Sequence, residues 1–352
     1  MAMCPVNYIR TEFFSNTLRI LTISVLALVG YYQTSTNPTE GLLMTSAYAE
    51  KLNPADQIKL LESINAIEGY GYKKGGWKKS TNFKTSDSKK AQYGDGATIA
   101  VFDTPVDCNH KFLKTDASRS CASFGYANGY RAGTWNTVAG YRHGTNAAGV
   151  AAGTKGYGVA NKSDIVSYAV FDDRGWYITN SQFTALVSHA VNSQGADVLN
   201  WSFGSRIGKQ SEPIDSLTLQ GARIARKKAL VVKSAGNGHT NNKGYGFPTY
   251  IQSNVKKNVL TKYLNNMIWV GALDAKEKKI VRWSDMPGNG CYRGTSEKRC
   301  TNKNRWMYYY LVAPGYVKTT DPSNRTLKTQ GTSFSAPIVA GAAALIKARW
   351  PK

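Results

Sequence analysis

Near its C-terminal end the chain reads Gly331-Thr332-Ser333-Phe334-Ser335-Ala336-Pro337, and small apolar residues follow over 338–346. This run predicts a helix buried on all sides, because alanine and glycine let neighbouring elements approach closely. Proline has no N–H to donate, so we expect Pro337 in the first turn. Ser333 would then lie at the helix N-terminus, where free N–H groups and the helix dipole favour negative charge. A serine in that position is either a nucleophile or a simple N-cap.

The composition indicates a globular protein with a large basic excess. Of the 352 residues, 42% are apolar and 19% are charged, which suits one large domain or two modest ones and argues against disorder. The 45 Lys and Arg residues outnumber the 22 Asp and Glu residues and give a net charge of +23. This excess favours contact with an anionic surface such as lipid headgroups or polyanions. Solubility is the alternative, and the scattered lysines favour it. No recognition motif accompanies the charge, so we expect no specific nucleic-acid partner.

The N-terminal region predicts export. Arg10 and Arg19 precede an apolar run over 20–30 that is too short to span a bilayer comfortably. A small-residue cleavage site follows at Ala47-Tyr48-Ala49. A short buried helix is the alternative for the apolar run. We therefore expect an export segment over 1–49 and a secreted or cell-surface protein that does not span the membrane.

Apolar strands alternate with helices in the rest of the chain, after an N-terminal extension that we assign to 50–94. The extension begins with a predicted amphipathic helix and is Lys-, Gly- and Ser-rich over 69–94. We predict strands at 97–102, 164–170, 198–202, 230–234, 267–272 and 311–313. We predict helices at 143–152, 181–193 and 216–228, besides the one that carries Ser333. Over 95–352 this alternation predicts an α/β domain of three layers, with a mostly parallel twisted sheet and helices on both faces.

Four polar residues fall at strand ends or helix starts of this predicted sheet. Asp103 ends the first strand, His143 opens a helix, and Asn237 follows the strand at 230–234. The carboxyl ends of parallel strands are where sites form in such sheets. Together with Ser333 these residues supply an orienting carboxylate, a general base, an oxyanion donor and a nucleophile.

In these motifs the sequence resembles the subtilisin-like serine proteases. The segments 99–104, 141–149 and 331–337 resemble the Asp, His and Ser motifs of that family, in its chain order. The resemblance covers roughly Gly94 to the C-terminus. It implies an exported serine endopeptidase that hydrolyses proteins or peptides with Asp103, His143 and Ser333, assisted by Asn237. It implies no required cofactor; a structural calcium ion is left unassigned, because no segment matches a ligand motif.

The resemblance also implies where substrate binds. The segment 200–204 resembles the strand that binds substrate backbone, and 235–237 resembles the oxyanion segment. The segment 244–248 resembles the wall of the pocket for the residue before the scissile bond. No acidic residue is evident there, so we expect large apolar side chains to be preferred. The expected substrate-binding residues are Ser202, Phe203, Gly204, Ala235, Gly236 and Gly246.

The cysteine spacing predicts two local disulfides in an exported chain, Cys108–Cys121 and Cys291–Cys300. Metal binding is the rival interpretation. The chain has no CxxC motif, and His110 is the only histidine near either pair, so we assign no metal ligands.

Several departures from the family pattern keep a second hypothesis open. Pro105 stands where the Asp motif usually has glycine, and Asn146 replaces a second histidine of the His motif. The extension over 50–94 is short for a folded inhibitory pro-domain. The family usually continues with more helix after the Ser motif, so we expect this sequence to belong to a longer polypeptide. The alternative to an enzyme is a catalytically inactive family member that binds peptides or an anionic cell surface.

Overall fold

The computed structural model describes residues 92–117, 119–126, 130–132, 142–172, 175–176, 178–203, 213–237, 266–275, 279–286 and 309–351. The predicted export segment, most of the extension, Gly204, Gly246, Cys291 and Cys300 lie outside these residues. Within these ranges, no helix combines the length and the apolar run that crossing a bilayer requires.

Twelve strands and four α-helices are found in this part of the chain. The strands are β1 Thr98–Asp103, β2 Cys121–Tyr126, β3 Tyr130–Ala132, β4 Asp164–Ala169, β5 Phe171–Asp172, β6 Gly175–Trp176, β7 Val198–Trp201, β8 Leu230–Ser234, β9 Met267–Leu273, β10 Tyr310–Pro314, β11 Tyr316–Asp321 and β12 Arg325–Gln330. The helices are α1 His143–Ala152, α2 Asn180–Asn192, α3 Pro213–Ala225 and α4 Thr332–Arg349.

Eight strands form one sheet in the order β10-β9-β8-β7-β1-β4-β2-β3. All neighbours in it are parallel except β2 and β3, which confirms the predicted sheet type. The central strand β1 pairs with β4 on one side and β7 on the other. The chain therefore places β2, β3 and β4 on one side of β1 and β7 to β10 on the other, and sheets of this kind bind ligands in a crevice at the carboxyl ends of the strands where the order reverses.

Helices cover both faces of the sheet, as predicted. Successive side chains of a strand point to opposite faces. In β1, Ile99 and Val101 pack into the core under α1 and α4. Ala100 and Phe102 pack into the second core, under α2 and α3. The same alternation directs Asp103 toward the α1 and α4 layer.

The prediction misses two features of the sheet region. Strand β2, which begins at Cys121, was not predicted. The antiparallel hairpin of β11 and β12, which form a two-stranded sheet of their own among the described residues, was not predicted at all. The sequence of β12 alternates weakly and its residues are half-buried or exposed. The hairpin is held instead by α1: Thr319 and Thr320 donate their hydroxyls to the carbonyls of Asn146 and Thr145, both at 2.7 Å.

The helix boundaries agree more closely. The prediction for α1 is confirmed at both ends, and α2 is displaced by one residue. Helix α3 starts at Pro213 rather than 216, because proline is well accepted at the first position of a helix.

Candidate active site

Asp103 is the last residue of β1 and its side chain is fully buried. The Thr104 N–H donates to Oδ1 at 2.7 Å, and the Asp103 carbonyl accepts from the Val170 N–H at 2.8 Å. Hydrogen bonds thus fix both the main chain and the carboxylate of Asp103. Because Asp103 faces the α1 layer, its carboxylate oxygens can accept further hydrogen bonds from the start of that helix.

His143 is the first residue of α1 and receives that carboxylate. Its Nδ1 lies 2.7 Å from Oδ1 and 2.9 Å from Oδ2 of Asp103. A carboxylate can only accept, so Nδ1 carries the proton and Nε2 keeps its lone pair in the neutral ring. The imidazole is about a third exposed (32%), so it can meet a molecule in the crevice.

The turn after β1 fixes the start of α1 against Asp103. The Gly144 N–H donates to the Thr104 hydroxyl at 2.8 Å. A Cβ on Gly144 would lie 2.0 Å from the Thr104 carbonyl oxygen, so only glycine allows this approach. Glycine after His143 is therefore a geometric requirement of the Asp103–His143 contact.

The electrostatics of the pair favour a charged imidazole. Burial lowers the pKa of His143, but the charge of Asp103 and the hydrogen bond to it outweigh burial. The net result is a pKa above the ordinary value of 6.5. The arrangement therefore stabilises a proton added at Nε2.

Ser333 is the second residue of α4, which puts it at the helix N-terminus as predicted. The preceding Gly331 has φ +144°, a conformation that side chains rarely adopt. The Ser333 hydroxyl donates to the Ser202 carbonyl at 3.0 Å. The ring of the next residue, Phe334, lies 5.3 Å from the His143 ring between centroids, so the start of α4 rests against the imidazole.

The expectation that Pro337 lies in the first turn of this helix is wrong. Helix α4 begins at Thr332, so Pro337 lies in its second turn. A residue there would normally donate its N–H to the carbonyl four residues earlier, which is Ser333. Proline leaves that carbonyl without a helical partner, and the Ser202 hydroxyl donates to it at 2.7 Å. Ser202 thus contacts Ser333 at both its hydroxyl and its carbonyl.

Asn237 follows β8 at the exposed edge of the crevice. Its Oδ1 accepts from the N–H and the hydroxyl of Thr332, both at 3.0 Å. These two bonds fix the orientation of the amide, because only the oxygen can accept. The Nδ2 group lies beside the Gly331 turn, next to the helix start that carries Ser333.

The remaining predicted substrate-binding residues in the described ranges flank the same helix start. The Gly236 N–H donates to the Thr332 hydroxyl at 3.2 Å, and the Ala235 N–H donates to the Val270 carbonyl at 2.9 Å. Phe203 follows Ser202, and its carbonyl accepts from the Lys233 ammonium. The segment after β7 therefore contacts Ser333, and the segment after β8 contacts the preceding residue, Thr332.

The structure brings Asp103 to His143, and Ser202 and Asn237 to the start of α4. It also shows supporting residues to which the sequence analysis gave no role: Thr104, Asn200, Thr332 and Pro337. All four lie inside the quoted segments, so adjacency to a site residue was a usable signal. Pro337 was noticed, but its effect depends on knowing where the helix begins.

The predicted disulfide Cys108–Cys121 is present, with an S–S distance of 2.01 Å. Nowhere in the described ranges do three or more His, Cys, Asp or Glu side chains cluster so that they could hold a metal ion. The expectation that no cofactor is required stays a prediction.

Comparison with known proteins identifies the family. Residues 94–352 match the model of the subtilase family, peptidase S8. Subtilisin of Bacillus sp. strain TA39 is 28% identical over 288 residues, covering 78% of this chain and 62% of the relative. Subtilisin DY of Bacillus licheniformis is 28% identical over 287 residues, covering 76% and 82%.

The solved structure of S41 psychrophilic protease is similar in fold, with a TM-score of 0.55 and 24% identity over 73% of this chain and 79% of that one. The family match spans most of the chain and all three motifs. The chain therefore belongs to the subtilase family of serine-type endopeptidases.

Proposed function

We propose that this protein is an exported serine endopeptidase in which Ser333, His143 and Asp103 act together on peptide bonds of proteins. The observation that carries the proposal is the contact of 2.7 Å between His143 Nδ1 and the Asp103 carboxylate, beside the start of α4. Family membership supports the reaction class, and the geometry supports the assignment of residues.

Each residue has a distinct chemical role in this proposal. Ser333 Oγ attacks the peptide carbonyl carbon while His143 Nε2 takes the hydroxyl proton. When the C–N bond breaks, His143 returns that proton to the leaving amine. Water then attacks the acyl-enzyme ester, again with His143 as the base, and Ser333 is regenerated. Asp103 keeps the imidazole in the required tautomer and stabilises its charged form.

Asn237 is the proposed oxyanion donor, together with the Ser333 N–H. The support for this role is orientation: Thr332 holds Asn237 Oδ1 with two hydrogen bonds, so the amide cannot rotate without losing both. The N-terminal end of α4 adds a favourable dipole for an oxyanion formed beside Ser333.

Export is supported by the signal-like N-terminal sequence and by the disulfide between Cys108 and Cys121, a bond that persists in oxidising compartments. The preference for large apolar residues before the scissile bond depends on Gly246 and stays a prediction. Contact with an anionic surface is a further prediction from the net charge of +23.

The deciding experiment is labelling of the purified, exported protein by a fluorophosphonate probe, together with hydrolysis of a casein substrate. Wild type should be labelled once, at Ser333, and should hydrolyse casein. Ser333→Ala should remain folded and do neither. A folded wild type that is neither labelled nor active, after any N-terminal processing, would favour the inactive binding protein instead.

The oxyanion role has its own test. Asn237→Ala should lower kcat by about 10²–10³ with little change in KM, because the lost hydrogen bond forms chiefly in the transition state. Asn192→Ala is the matched control, since Asn192 lies in α2 and its amide donates to Ser188 at 3.0 Å, away from the crevice. An unchanged kcat in Asn237→Ala would contradict the role.

A further inference from the structure

Asn200 is a fully buried amide in β7, two residues before Ser202. Alternation along the strand places it on the same face as Val198, which packs in the core under α1 and α4. Its Nδ2 group donates to the Ser202 hydroxyl at 2.9 Å. In the described part of the protein its Oδ1 is buried without a hydrogen-bond partner.

That bond sets the direction in which Ser202 uses its single hydroxyl hydrogen. Because Ser202 Oγ accepts from Asn200, its hydrogen is directed to the Ser333 carbonyl at 2.7 Å. If the amide were turned over, Asn200 Oδ1 would face the hydroxyl and take its hydrogen. The Ser333 carbonyl, which Pro337 deprives of a helical partner, would then lose its donor.

A purely structural role explains Asn200 poorly. A buried acceptor without a partner is unfavourable, and an apolar side chain of similar size would avoid that cost. What the amide supplies, and an apolar side chain cannot, is a donor aimed at Ser202.

We propose that Asn200 is a positioning residue: it orients the Ser202 hydroxyl, which in turn holds the main chain of Ser333 in place for attack. This inference rests on the proposed peptidase function, because it concerns the reactivity of Ser333. Asn200 itself touches no reacting atom, and its effect is transmitted through one hydrogen bond to the Ser202 side chain.

The test compares the second-order rate of fluorophosphonate labelling, kcat and KM in Asn200→Ala, Ser202→Ala and the double variant. Each single change should slow labelling by about tenfold, the scale of one hydrogen bond, with kcat lowered and KM within about twofold. The double variant should be no slower than Ser202→Ala, because Asn200 acts through that hydroxyl.

Two matched controls separate positioning from general damage to the core. Asn266 is also a buried asparagine with an unpaired Oδ1, and its amide donates to the carbonyls of Ala222 and Ala229. Ser167 is a buried serine of the same sheet whose hydroxyl has no partner among the described groups. If positioning is the correct explanation, Asn266→Ala should lower thermal stability without slowing labelling, and Ser167→Ala should change neither thermal stability nor labelling.

The outcomes separate the two hypotheses. If wild type is labelled and either Asn200→Ala or Ser202→Ala is labelled at the same rate, this inference is overturned and the peptidase function is not. Additive losses in the double variant would also overturn this inference alone. If Asn200→Ala does not fold, Ser202→Ala decides, since the hydroxyl is the only route of action proposed. An unlabelled wild type would overturn the peptidase function and this inference with it.

Discussion

Two histidines in this protein have opposite environments. His143 meets a carboxylate at the carboxyl edge of the sheet, whereas His110 is fully buried in the loop after β1 and both its ring nitrogens hydrogen-bond to backbone groups. His110 Nε2 donates to the Arg325 carbonyl at 2.9 Å, and its Nδ1 accepts from the Phe112 N–H at 3.1 Å. His110 is therefore neutral, with its proton on Nε2.

The partners decide what each imidazole can do. Burial, with a smaller contribution from the charge of Lys111, lowers the pKa of His110 more than its backbone hydrogen bond and the charges of Asp107 and Asp321 raise it. For His143 the charge of Asp103 reverses the effect of burial and raises the pKa. The environment of His143 thus favours the protonated ring and that of His110 the neutral ring, which suits a proposed general base and a structural bridge respectively.

The hairpin of β11 and β12 connects the two regions. His110 bonds its β12 strand at Arg325, while β11 bonds the backbone of α1, which begins at His143. Buried Asp321 at the end of β11 lies 3.6 Å from the Arg142 side chain and 3.5 Å from that of Arg325. His110 therefore helps to fix the hairpin that contacts α1, the helix that begins at His143.

The largest contrast is expected from replacing each histidine by alanine. His143→Ala should lower kcat by about 10⁶, and the double variant with Ser333→Ala should lose no more, because the two act as a unit. His110→Ala should reduce thermal stability and leave kcat per folded molecule within a few-fold. Peptide hydrolysis and thermal unfolding measured on all four proteins test this; a large kcat loss in His110→Ala would erase the distinction between the two rings.

Asp103→Asn should have the next largest effect, a loss of about 10⁴ in kcat, because the amide no longer fixes the tautomer of His143. It should also move the acid limb of the kcat/KM profile to lower pH. In the proposed mechanism neutral His143 is the active form, so wild-type activity should fall as pH decreases through a value above 6.5, and Asp103 is what raises that value. An acid limb at the same pH in both proteins would contradict this explanation.

Loss of the disulfide should act on stability more than on chemistry. Cys108→Ser combined with Cys121→Ser opens a loop with a sequence separation of 13. The free energy of unfolding should fall by about 3 kcal/mol, as expected for a loop of this size. Denaturant unfolding checks the value, and reductant added to the double variant reports any contribution from Cys291 and Cys300. An unchanged stability would mean that the loop is fixed by His110 and its neighbours alone.

The smallest expected effect is a dependence of stability on pH that has opposite signs for the two histidines. His110 has a lowered pKa, so its contribution to stability is full above 6.5 and declines as pH falls through the folded-state value. His143 has a raised pKa, so its contribution is full below 6.5 and is lost as pH rises through the folded-state value. Urea unfolding of wild type and both alanine variants from about pH 5 to 9 separates the two slopes. If both histidines changed stability with pH in the same direction, the opposite shifts of their pKa values would be refuted.

Local sequence predicts the parts of this molecule that depend on neighbours along the chain. The periodicity of β1 and α1, the disulfide spacing, and the position of Ser333 at a helix start follow from adjacent residues. The hairpin could not be predicted in this way, because α1 supplies its stabilising partners from more than 170 residues away.

The same limit applies within the candidate site. The sequence indicates that Asp103, His143 and Ser333 reach one edge of the sheet, since each ends a strand or opens a helix. It does not indicate that Ser202 replaces the hydrogen bond missing at Pro337, because that bond joins residues 131 positions apart. Long-range hydrogen bonds of this kind require the packed arrangement of β7 against α4.

The alternation of β1 makes the protein sensitive to a kind of mutation that substitutions do not sample. Deleting or inserting one residue within Thr98–Asp103 would move the later residues of this strand to the opposite face of the sheet, because the side-chain period of a strand is two. The carboxylate would enter the aromatic layer where Phe102 now stacks on Tyr168, with ring centroids 4.7 Å apart. Deleting one codon in this strand and inserting one before α1 would thus separate Asp103 from His143 even in a chain whose other residues were all unchanged.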